Sequence, residues 1–406
     1  MGALSHIRVL DLTRVLAGPW CAQTLADLGA DVIKIERPET GDDTRQWGPP
    51  YLKTPDGEDT REAAYYLAAN RNKRSVTVDI GTADGQRIVR ELAAQSDVVL
   101  ENYKVGQLKK YGLDYESLKA VKPDLVYCSV TGFGQTGPYA NRAGYDFIIQ
   151  GIGGFMSITG ERDGQPGGGP QKAGVAIADL MTGMYATVGV LAALTHRDRT
   201  GEGQYIDMAL LDVQVAMLAN MNTNFLASGK PPVRWGNAHA NIVPYQTFQT
   251  NDGWIIVAVG NDGQFRKFVE AGGRAELADD ARFATNPSRV RNRDILVPIL
   301  ADMVRLKGKR EWLAALESAS VPCGPINDLG EVFDDPHVIA RGMKLDMPHP
   351  AGGEVHLAAN PIRMSETPVE ARAHPPMLGE HTFDVLSTLL GYDEPKLRAL
   401  REAKIV

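Results

Sequence analysis

The sequence predicts an α/β protein, in which an open, doubly wound (Rossmann-like) parallel sheet forms one domain and a smaller α+β domain accompanies it. Short runs rich in β-branched residues alternate with helical stretches over residues 1–135. Such alternation is typical of parallel strands joined by crossover helices. The runs are apolar at both alternating positions, as expected for strands buried on both faces. A chain of 406 residues is also long enough for two to three domains.

The predicted elements of the sheet domain follow one another in a regular order. The strands are expected at 7–13, 31–37, 75–80, 97–102 and 125–132. The helices are expected at 18–29, 62–70, 83–95 and 114–121. Ligands of doubly wound sheets bind beyond the carboxyl ends of the strands. Any site is therefore expected among the loops at 14–18, 37–48, 102–110 and 132–146.

Residues 173–194 form a long apolar segment in which Asp179 is the only charge. Its length would suit a membrane span. The sequence has no second segment of this kind, and Gly174, Gly183 and Gly189 favour close packing of a buried helix. We therefore expect a soluble protein without membrane association.

The second half of the chain predicts a different organisation. A strand-like run at 205–210 leads into a helix that continues to about residue 228. The Pro- and Gly-rich stretch 229–245 is interpreted as a linker or an active-site loop. Asn251-Asp252-Gly253 indicates the turn of a hairpin. From about residue 334 the chain is expected to be irregular, and it ends with helices near 380–392 and 394–402.

The composition excludes several classes of protein. With 43 Lys and Arg against 50 Asp and Glu, the net charge is −7, which argues against a general nucleic-acid binder. Cys21, Cys128 and Cys323 form no CxxC pair, so we expect a reducing compartment without disulfides or a cysteine zinc site. The residues before the first strand lack the apolar stretch of a secretory signal. The expected location is the cytoplasm.

A dinucleotide-dependent enzyme is the first alternative to test. A strand, a turn, a helix and a second strand ending in Glu36 have the layout of a nucleotide-binding βαβ unit. Only Gly18 stands where the GxGxxG motif requires three glycines, and a P-loop is absent as well. The sequence also lacks HExxH and other metal-ligand spacings. We therefore expect neither NAD nor FAD nor a bound metal.

Basic residues recur just after successive predicted strands, which would place several cations around one crevice. Such a crevice suits a phosphate-bearing ligand, although a solvated surface is the alternative for any one residue. The residues are Arg37, Arg45, Arg71, Lys73, Arg74, Lys104, Lys109 and Lys110. The glycine-rich run at 164–170 is interpreted as a flexible loop, with a mobile lid or a phosphate cradle as alternatives.

Asp179 is the strongest candidate for a catalytic residue. A carboxylate in apolar surroundings is costly unless it is hydrogen-bonded or neutralised, so it is predicted to act as a nucleophile or an acid-base group. The alternative is a helix cap or a polar anchor between helices. Among the histidines, His239 is the one inside a loop of active-site character, while His374 and His381 flank the run PPMLGE.

Eight segments, in unchanged order over nearly the whole chain, resemble the landmarks of class III (family III) coenzyme A transferases. They are RVLDLTRVLAGPWCAQTLADLGADVIKIERP (8–38), NRNKRSVTVDI (70–80), ENYKVGQLKKYGLDY (101–115), SVTGFGQTGPYANRAGYD (129–146), AIADLMTG (176–183), RWGNAHANIVPYQTF (234–248), VPCGPINDL (321–329) and LGEHTFDVL (378–386). The succinate-hydroxymethylglutarate, or dicarboxylate, branch is the most similar. That similarity rests on GDDTRQWGPP (41–50), GQTGP (134–138) and RWGNAH followed by IVPYQ.

The resemblance implies that CoA moves from an acyl-CoA, expected to be succinyl-CoA, to a carboxylic acid, expected to be a short dicarboxylate. Asp179 stands at the place of the family's nucleophilic aspartate. It would form a mixed anhydride and then an aspartyl-CoA thioester, and an apolar setting would protect the anhydride from water. A second carboxylate favours an arginine fork. Arg45, Arg71 and Arg234 are the candidates for that fork.

The resemblance also implies two sets of binding residues. Residues expected to bind CoA are Val15, Leu16, Arg37, Val78, Asn102, Tyr103, Lys104, Lys110, Ala143, Tyr145 and Asp146, with Arg37 and Lys110 meeting the nucleotide phosphates. Residues expected in the substrate pocket are Trp47, Gly236, Asn237 and His239. Other transferases of the family carry a glycine-rich shielding stretch in this second loop. His239 and Pro244-Tyr245 replace it here.

Two alternatives remain within the resemblance. The family also contains α-methylacyl-CoA racemases, which move an α-proton with a His and an Asp. Their His sits in a GHD triplet, whereas this chain has Gly144-Tyr145-Asp146. A phenol with an ordinary pKa of about 10 is a poor base at neutral pH, so this departure favours a transferase. A non-catalytic CoA-binding protein is the other alternative.

The family fold implies a particular division of the chain. The large CoA-binding domain would span 1–200 and be completed by about 350–406. A linker helix at 201–224 would lead to a small domain at 225–330, and a second linker would follow at 331–349. Two such subunits are expected to thread through each other as an interlocked homodimer.

Overall fold

The structure, a computed structural model, describes residues 2–406. Within them the strands are β1 (Arg8–Asp11), β2 (Asp31–Glu36), β3 (Tyr51–Lys53), β4 (Asp59–Ala63), β5 (Lys73–Thr77), β6 (Val98–Glu101), β7 (Val126–Thr131), β8 (Tyr205–Ala209), β9 (Tyr245–Gln249), β10 (Trp254–Ala258), β11 (Cys323–Pro325), β12 (Lys344–His349) and β13 (Gly352–Ala358). The helices are α1 (Ala17–Asp27), α2 (Ala64–Leu67), α3 (Ala83–Ala94), α4 (Tyr115–Lys119), α5 (Asp146–Ile152), α6 (Phe155–Ile158), α7 (Ile177–Thr200), α8 (Leu210–Met217), α9 (Ala219–Ser228), α10 (Asp262–Ala271), α11 (Asn286–Arg291), α12 (Arg293–Val304), α13 (Lys309–Ser318), α14 (Leu329–Asp334), α15 (Pro336–Ala340), α16 (Thr382–Leu390) and α17 (Glu394–Glu402).

The chain divides into two compact units. The first comprises the chain up to Phe155, Ala173–Ala227 and Pro336–Val406, and the second comprises Met156–Lys172 and Ser228–Asp335. Both ends of the chain therefore lie in the first unit. The predicted boundaries place residues 156–172 in the large domain, whereas the structure groups this segment with the second unit.

The first unit is built on a sheet of six parallel strands in the order β5-β2-β1-β6-β7-β8. The predicted α/β class and parallel sheet are confirmed, and the strand-like run after α7 supplies the sixth strand, β8. From β1 the chain adds strands on one side, through β2 to β5, and then returns to add β6, β7 and β8 on the other. The strand order thus reverses between β1 and β6, where a doubly wound sheet leaves a crevice for ligands.

Each face of the sheet is covered by helices, because successive side chains of a strand point to opposite faces. Val9 packs in the core that also contains Leu25 of α1 and Val190 of α7. Its neighbour Leu10 packs on the other face, in the core of α3, α16 and α17. The C-terminal helices therefore complete the domain that the N-terminal strands begin.

The second unit has its own core around a three-stranded antiparallel sheet, β11-β10-β9. The predicted hairpin is confirmed, since β9 and β10 pair antiparallel on either side of the turn at Asn251–Gly253. Phe268 of α10 and Trp312 of α13 pack against this sheet with their rings 5.9 Å apart.

Two predictions of local structure were wrong. The helix expected at 62–70 is reduced to α2, because the residues before it pair as β4 with β3, and tertiary pairing overrides local preference. The region after residue 334, expected to be irregular, contains α15 and the hairpin β12–β13. That hairpin buries Met347, Val355 and Leu357 against Tyr66, which its alternating pattern could have indicated.

The long apolar segment forms α7, which by length and composition alone could cross a membrane. One side of it is buried in the first unit, through residues such as Ala186, Val190 and Ala193. Its Met184, Tyr185 and Val188 are exposed, so the expectation of a buried helix holds for one side only.

Candidate active site

Three loops at the carboxyl ends of β1, β6 and β7 line a cavity of about 390 Å³ in the first unit. The cavity lies at the point where the strand order reverses, as the fold class predicts. Eight of the predicted site residues are on its wall, namely Val15, Leu16, Asn102, Tyr103, Lys104, Ala143, Tyr145 and Asp179. The structure therefore brings residues that are far apart in sequence to one place.

Asp179 lies in the first turn of α7, and a second carboxylate, Asp146, holds this turn. The residue that precedes α7 makes no capping hydrogen bond with its side chain. Instead, Oδ1 of Asp146 accepts hydrogen bonds from the backbone N–H of Ala178 at 2.8 Å and of Asp179 at 3.3 Å. Anionic groups are favoured at this end of a helix because its N–H groups are unpaired and its dipole is positive there.

Gln150 of α5 fixes Asp146 in turn. Its Nε2 donates to Oδ2 of Asp146 at 2.7 Å, and its Oε1 accepts from the backbone N–H of Ala173 at 2.9 Å. The Asp146 carboxylate therefore has partners on both oxygens. In this structure the observed role of Asp146, a predicted CoA-binding residue, is to cap α7.

The electrostatic setting of Asp179 is unusual for a carboxyl group. Burial, followed by the negative charge of Asp146, raises the pKa of Asp179 to about 7. Removal from water disfavours the charged form, and a like charge nearby adds to that effect. Near neutral pH the group is therefore divided between a protonated form and an unusually basic carboxylate. Such a perturbed group on the wall of a cavity is typical of a reactive site.

Two aromatic residues are part of the same surroundings. Burial and the charges of Asp179 and Asp146 raise the pKa of the Tyr65 phenol to about 12. The ring of Tyr65 meets that of Trp47 edge-on, with centroids 5.1 Å apart, and Trp47 remains 44% exposed. The predicted substrate residue Trp47 thus packs against a tyrosine whose pKa is raised in part by the charge of Asp179. The sequence offered no signal for Tyr65, which lies in the region that was wrongly predicted as a long helix.

A second groove of about 320 Å³ adjoins the first cavity. It contains the predicted CoA-binding residues Arg37 and Val78, and it shares Arg14, Asp43, Tyr103 and Gln107 with the first cavity. Arg37 is exposed, as a ligand-binding cation must be. Lys110 is also exposed, but it lies outside the walls of both cavities.

Four of the eight cations predicted to line the crevice instead form ion pairs with carboxylates of the protein, and for them the prediction was wrong. These residues neutralise carboxylates in the interior or at its edge, where an unpaired charge would be costly. The pairs are Arg45 with Glu36 and Glu62, Arg71 with Asp27, Lys73 with Asp11, and Arg74 with Asp31.

Arg45 and Arg71 are therefore unsuited to bind a substrate carboxylate. The guanidinium of Arg45 donates to Glu36, to Glu62 and to the carbonyl of Pro376, and it is 7% exposed. Arg71 donates to both oxygens of Asp27 and to a backbone carbonyl. Both forks are already occupied within the protein.

The remaining substrate-pocket candidates, Gly236, Asn237 and His239, lie in the second unit. The loop that carries them is held in place. The backbone N–H of Gly236 donates to the carbonyl of Gly160 at 3.1 Å, and Nδ1 of His239 accepts from the backbone N–H of Asn241 at 3.0 Å. Asn237 is exposed.

Arg234, the third candidate for the carboxylate fork, also belongs to this unit. Its guanidinium forms an ion pair with Asp163 and donates to the carbonyl of Glu161. The glycine-rich run 164–170 is anchored nearby, since the backbone N–H of Gly169 donates to the carbonyl of Glu161 and Gly168 forms an isolated β-bridge with Glu161. These contacts place the run against the turn at residues 160–162.

Comparisons with known proteins agree with this arrangement. The family model of CoA-transferase family III matches residues 4–382. The succinate–glutarate CoA-transferase of Agrobacterium fabrum is 55% identical over 95% of this chain and 95% of its own length. The mouse succinyl-CoA:glutarate CoA-transferase is 44% identical over 98% of this chain and 89% of its own.

Solved structures give the same result. The crystal structure of a CAIB/BAIF family protein from Brucella suis superimposes with a TM-score of 0.84, at 52% identity, over 96% of this chain and 99% of that one. The match to the family model covers most of the chain, and the sequence resemblance is thereby confirmed. The chain belongs to CoA-transferase family III and is an enzyme that transfers coenzyme A.

Proposed function

We propose that the enzyme transfers CoA from succinyl-CoA to a short dicarboxylate, with Asp179 as the nucleophile. The observation that carries this proposal is the position of Asp179 on the wall of a cavity at the crevice of the sheet, with a pKa raised to about 7. The relatives named for succinyl-CoA and glutarate support this choice of substrates. Acyl-CoA is the substrate that brings the CoA, and the proposed chemistry needs neither a metal nor NAD or FAD.

The proposed mechanism begins with attack of the Asp179 carboxylate on the thioester carbonyl of succinyl-CoA. The C–S bond breaks, CoA leaves as the thiolate, and a mixed anhydride remains. The thiolate then attacks the aspartyl carbonyl, which releases succinate and leaves an aspartyl-CoA thioester. The acceptor carboxylate repeats these steps in reverse and restores Asp179. Because the energy of the thioester is kept in each acyl intermediate, no ATP is required.

Intact-protein mass spectrometry after incubation with succinyl-CoA tests this mechanism. We expect a CoA adduct that maps to the peptide containing Asp179 and that hydroxylamine removes. The Asp179→Asn variant should form no adduct and show no transfer, but it should still bind CoA. Normal turnover by this variant would contradict the mechanism. Deuterium exchange into a 2-methylacyl-CoA, without an adduct, would support the racemase alternative instead.

The predicted CoA-binding and substrate residues stay proposals that the cavity supports to different degrees. Those on the walls of the two cavities are the strongest, and Arg37 is the cation proposed to meet the nucleotide phosphates. Lys110 has weaker support because it lies outside both walls. With Arg45 and Arg71 bound inside the fold, Arg234 is the remaining member of the original set for a second carboxylate.

We also propose that the enzyme is an interlocked homodimer in the cytoplasm. An apolar surface on the first unit supports the dimer, because contiguous exposed apolar side chains mark interaction surfaces. It comprises Phe147, Ile148 and Ile152 of α5 and Met184, Tyr185 and Val188 of α7. The three cysteines are free thiols, in keeping with a reducing compartment.

A further inference from the structure

The loop between β1 and α1 contains a backbone conformation that points to a binding role. Val15 has a φ of 72°, in the left-handed region that β-branched residues avoid. Such a conformation is strained and persists where the surroundings enforce it, often at ligand sites. The residue before it, Arg14, lines both the cavity of Asp179 and the adjoining groove.

Side chains from two neighbouring segments enforce this conformation. The amide of Asn102 binds the main chain of Arg14 twice, with Oδ1 accepting from its N–H at 2.9 Å and Nδ2 donating to its carbonyl at 2.7 Å. Oδ1 of Asp42 accepts from the N–H of Val15 at 3.2 Å. Nζ of Lys34 donates to the carbonyl of Thr13 at 2.8 Å and to Asp42 at 2.9 Å. The loop is therefore held rigidly before any ligand binds.

The side chain of Arg14 makes fewer hydrogen bonds than its backbone. Its Nη1 donates to Oδ2 of Asp43 at 3.0 Å, in a pair whose side chains are 40% and 51% exposed. Exposed pairs of this kind contribute little to stability. Its Nε is buried and has no hydrogen-bond partner among the residues that the structure describes. A buried donor without a partner is costly, and a ligand oxygen would relieve that cost.

We propose that Arg14 exchanges its contact with Asp43 for the diphosphate of CoA. This inference rests on the proposed use of acyl-CoA. In CoA the diphosphate links the nucleotide to the pantetheine arm that carries the sulfur. A thioester at Asp179 and a nucleotide in the groove of Arg37 place the diphosphate between them, at the wall that Arg14 shares with both cavities. A guanidinium fork matches phosphate oxygens in shape and charge.

Titration of CoA into three variants by isothermal calorimetry tests the exchange. Arg14→Ala should weaken CoA binding roughly 10- to 100-fold, the effect of losing hydrogen bonds to a charged group. Asp43→Asn should tighten it about 2- to 5-fold, because the competing partner of Arg14 is removed. Arg87→Ala, which breaks the similarly exposed pair of Arg87 with Asp84 on α3, should change nothing.

The opposite signs are decisive, because a merely structural ion pair would make Arg14→Ala and Asp43→Asn behave alike. Weaker CoA binding in both variants, or unchanged binding in Arg14→Ala, would overturn the proposal. Pantetheine, which lacks the diphosphate, should bind Arg14→Ala and wild type equally. A defect restricted to succinyl-CoA and absent with acetyl-CoA would assign Arg14 to the distal carboxylate and overturn the diphosphate assignment. Failure of wild type to bind CoA would overturn the proposed function instead.

Discussion

At the scale of single residues, the charge state of Asp179 sets the expected pH dependence. The proposed nucleophile is the carboxylate of Asp179, and its pKa is raised to about 7 by burial and by Asp146. We therefore expect kcat/KM for succinyl-CoA to fall as pH decreases through about 7, since this profile reports groups of the free enzyme. Asp146→Asn removes the like charge, lowers the pKa of Asp179 and should move the acid limb to lower pH.

The amide oxygen that Asp146→Asn introduces can still accept from the N-terminus of α7, so the helix cap is kept. Asp84→Asn is a suitable control, because Asp84 is exposed on α3 and is not among the charges that raise the pKa of Asp179. Rates should be measured from about pH 5 to 9, a range that extends on both sides of the raised pKa of Asp179, at saturating glutarate. An acid limb that stays in place in Asp146→Asn would contradict this account.

Arg45 and Arg37 represent two classes of arginine. Arg45 neutralises a buried carboxylate, whereas Arg37 is proposed to neutralise the phosphates of CoA. Arg45→Ala leaves Glu36 buried without its main partner, so we expect a loss of about 3–5 kcal/mol in the free energy of unfolding. Arg37→Ala changes an exposed side chain and should alter that free energy by less than about 0.5 kcal/mol. It should instead raise the KM for succinyl-CoA roughly 10-fold or more.

Denaturant unfolding and steady-state kinetics on both variants check this contrast. Equal losses of stability would show that Arg37 is also part of the fold. An unchanged KM in Arg37→Ala would remove this residue from the CoA site.

At the scale of elements, the packing of α1 against α7 positions Asp179, the proposed nucleophile. A Cβ on Gly183 would lie 2.7 Å from the carbonyl oxygen of Ala17 and 3.0 Å from Cβ of Trp20. Gly183→Ala should therefore push the two helices apart and lower the free energy of unfolding by about 1–3 kcal/mol. It should also reduce kcat, because Asp179 lies one helical turn before Gly183 and would be displaced.

Gly174→Ala is the matched control for this substitution. A Cβ at Gly174 would have nothing within 4 Å, so we expect unchanged melting temperature and kcat. Thermal unfolding and initial rates distinguish the two variants. Identical behaviour of Gly183→Ala and Gly174→Ala would mean that α1 and α7 adjust without cost.

At the scale of the whole molecule, the prediction concerns the proposed interlocked homodimer. Light scattering should give twice the chain mass of 44.0 kDa at all accessible concentrations. Tagged and untagged dimers, mixed in native buffer, should not exchange subunits over days, but they should do so after unfolding and refolding. Val188→Glu should prevent assembly, whereas Val121→Glu, exposed outside the apolar surface, should not. Rapid native exchange would contradict interlocking.

The sequence by itself determined the fold class and the succession of the main strands along the chain, and it singled out Asp179 as the candidate nucleophile. These depend on local periodicity and on an anomalous charge in an apolar segment, and both are visible along the chain. The tertiary structure decided which cations belong to the site. Lys73 and Arg37 look alike in sequence, yet one is buried against Asp11 and the other faces solvent.

The tertiary structure also decided the surroundings of Asp179. The pKa of Asp179 is raised first by burial and then by the charge of Asp146, which lies 33 residues earlier in the chain and caps α7. The Tyr65 phenol and the left-handed backbone conformation of Val15 have no signal in the sequence. Their roles arise from distances between segments remote in sequence, and one-dimensional patterns carry no information on such distances.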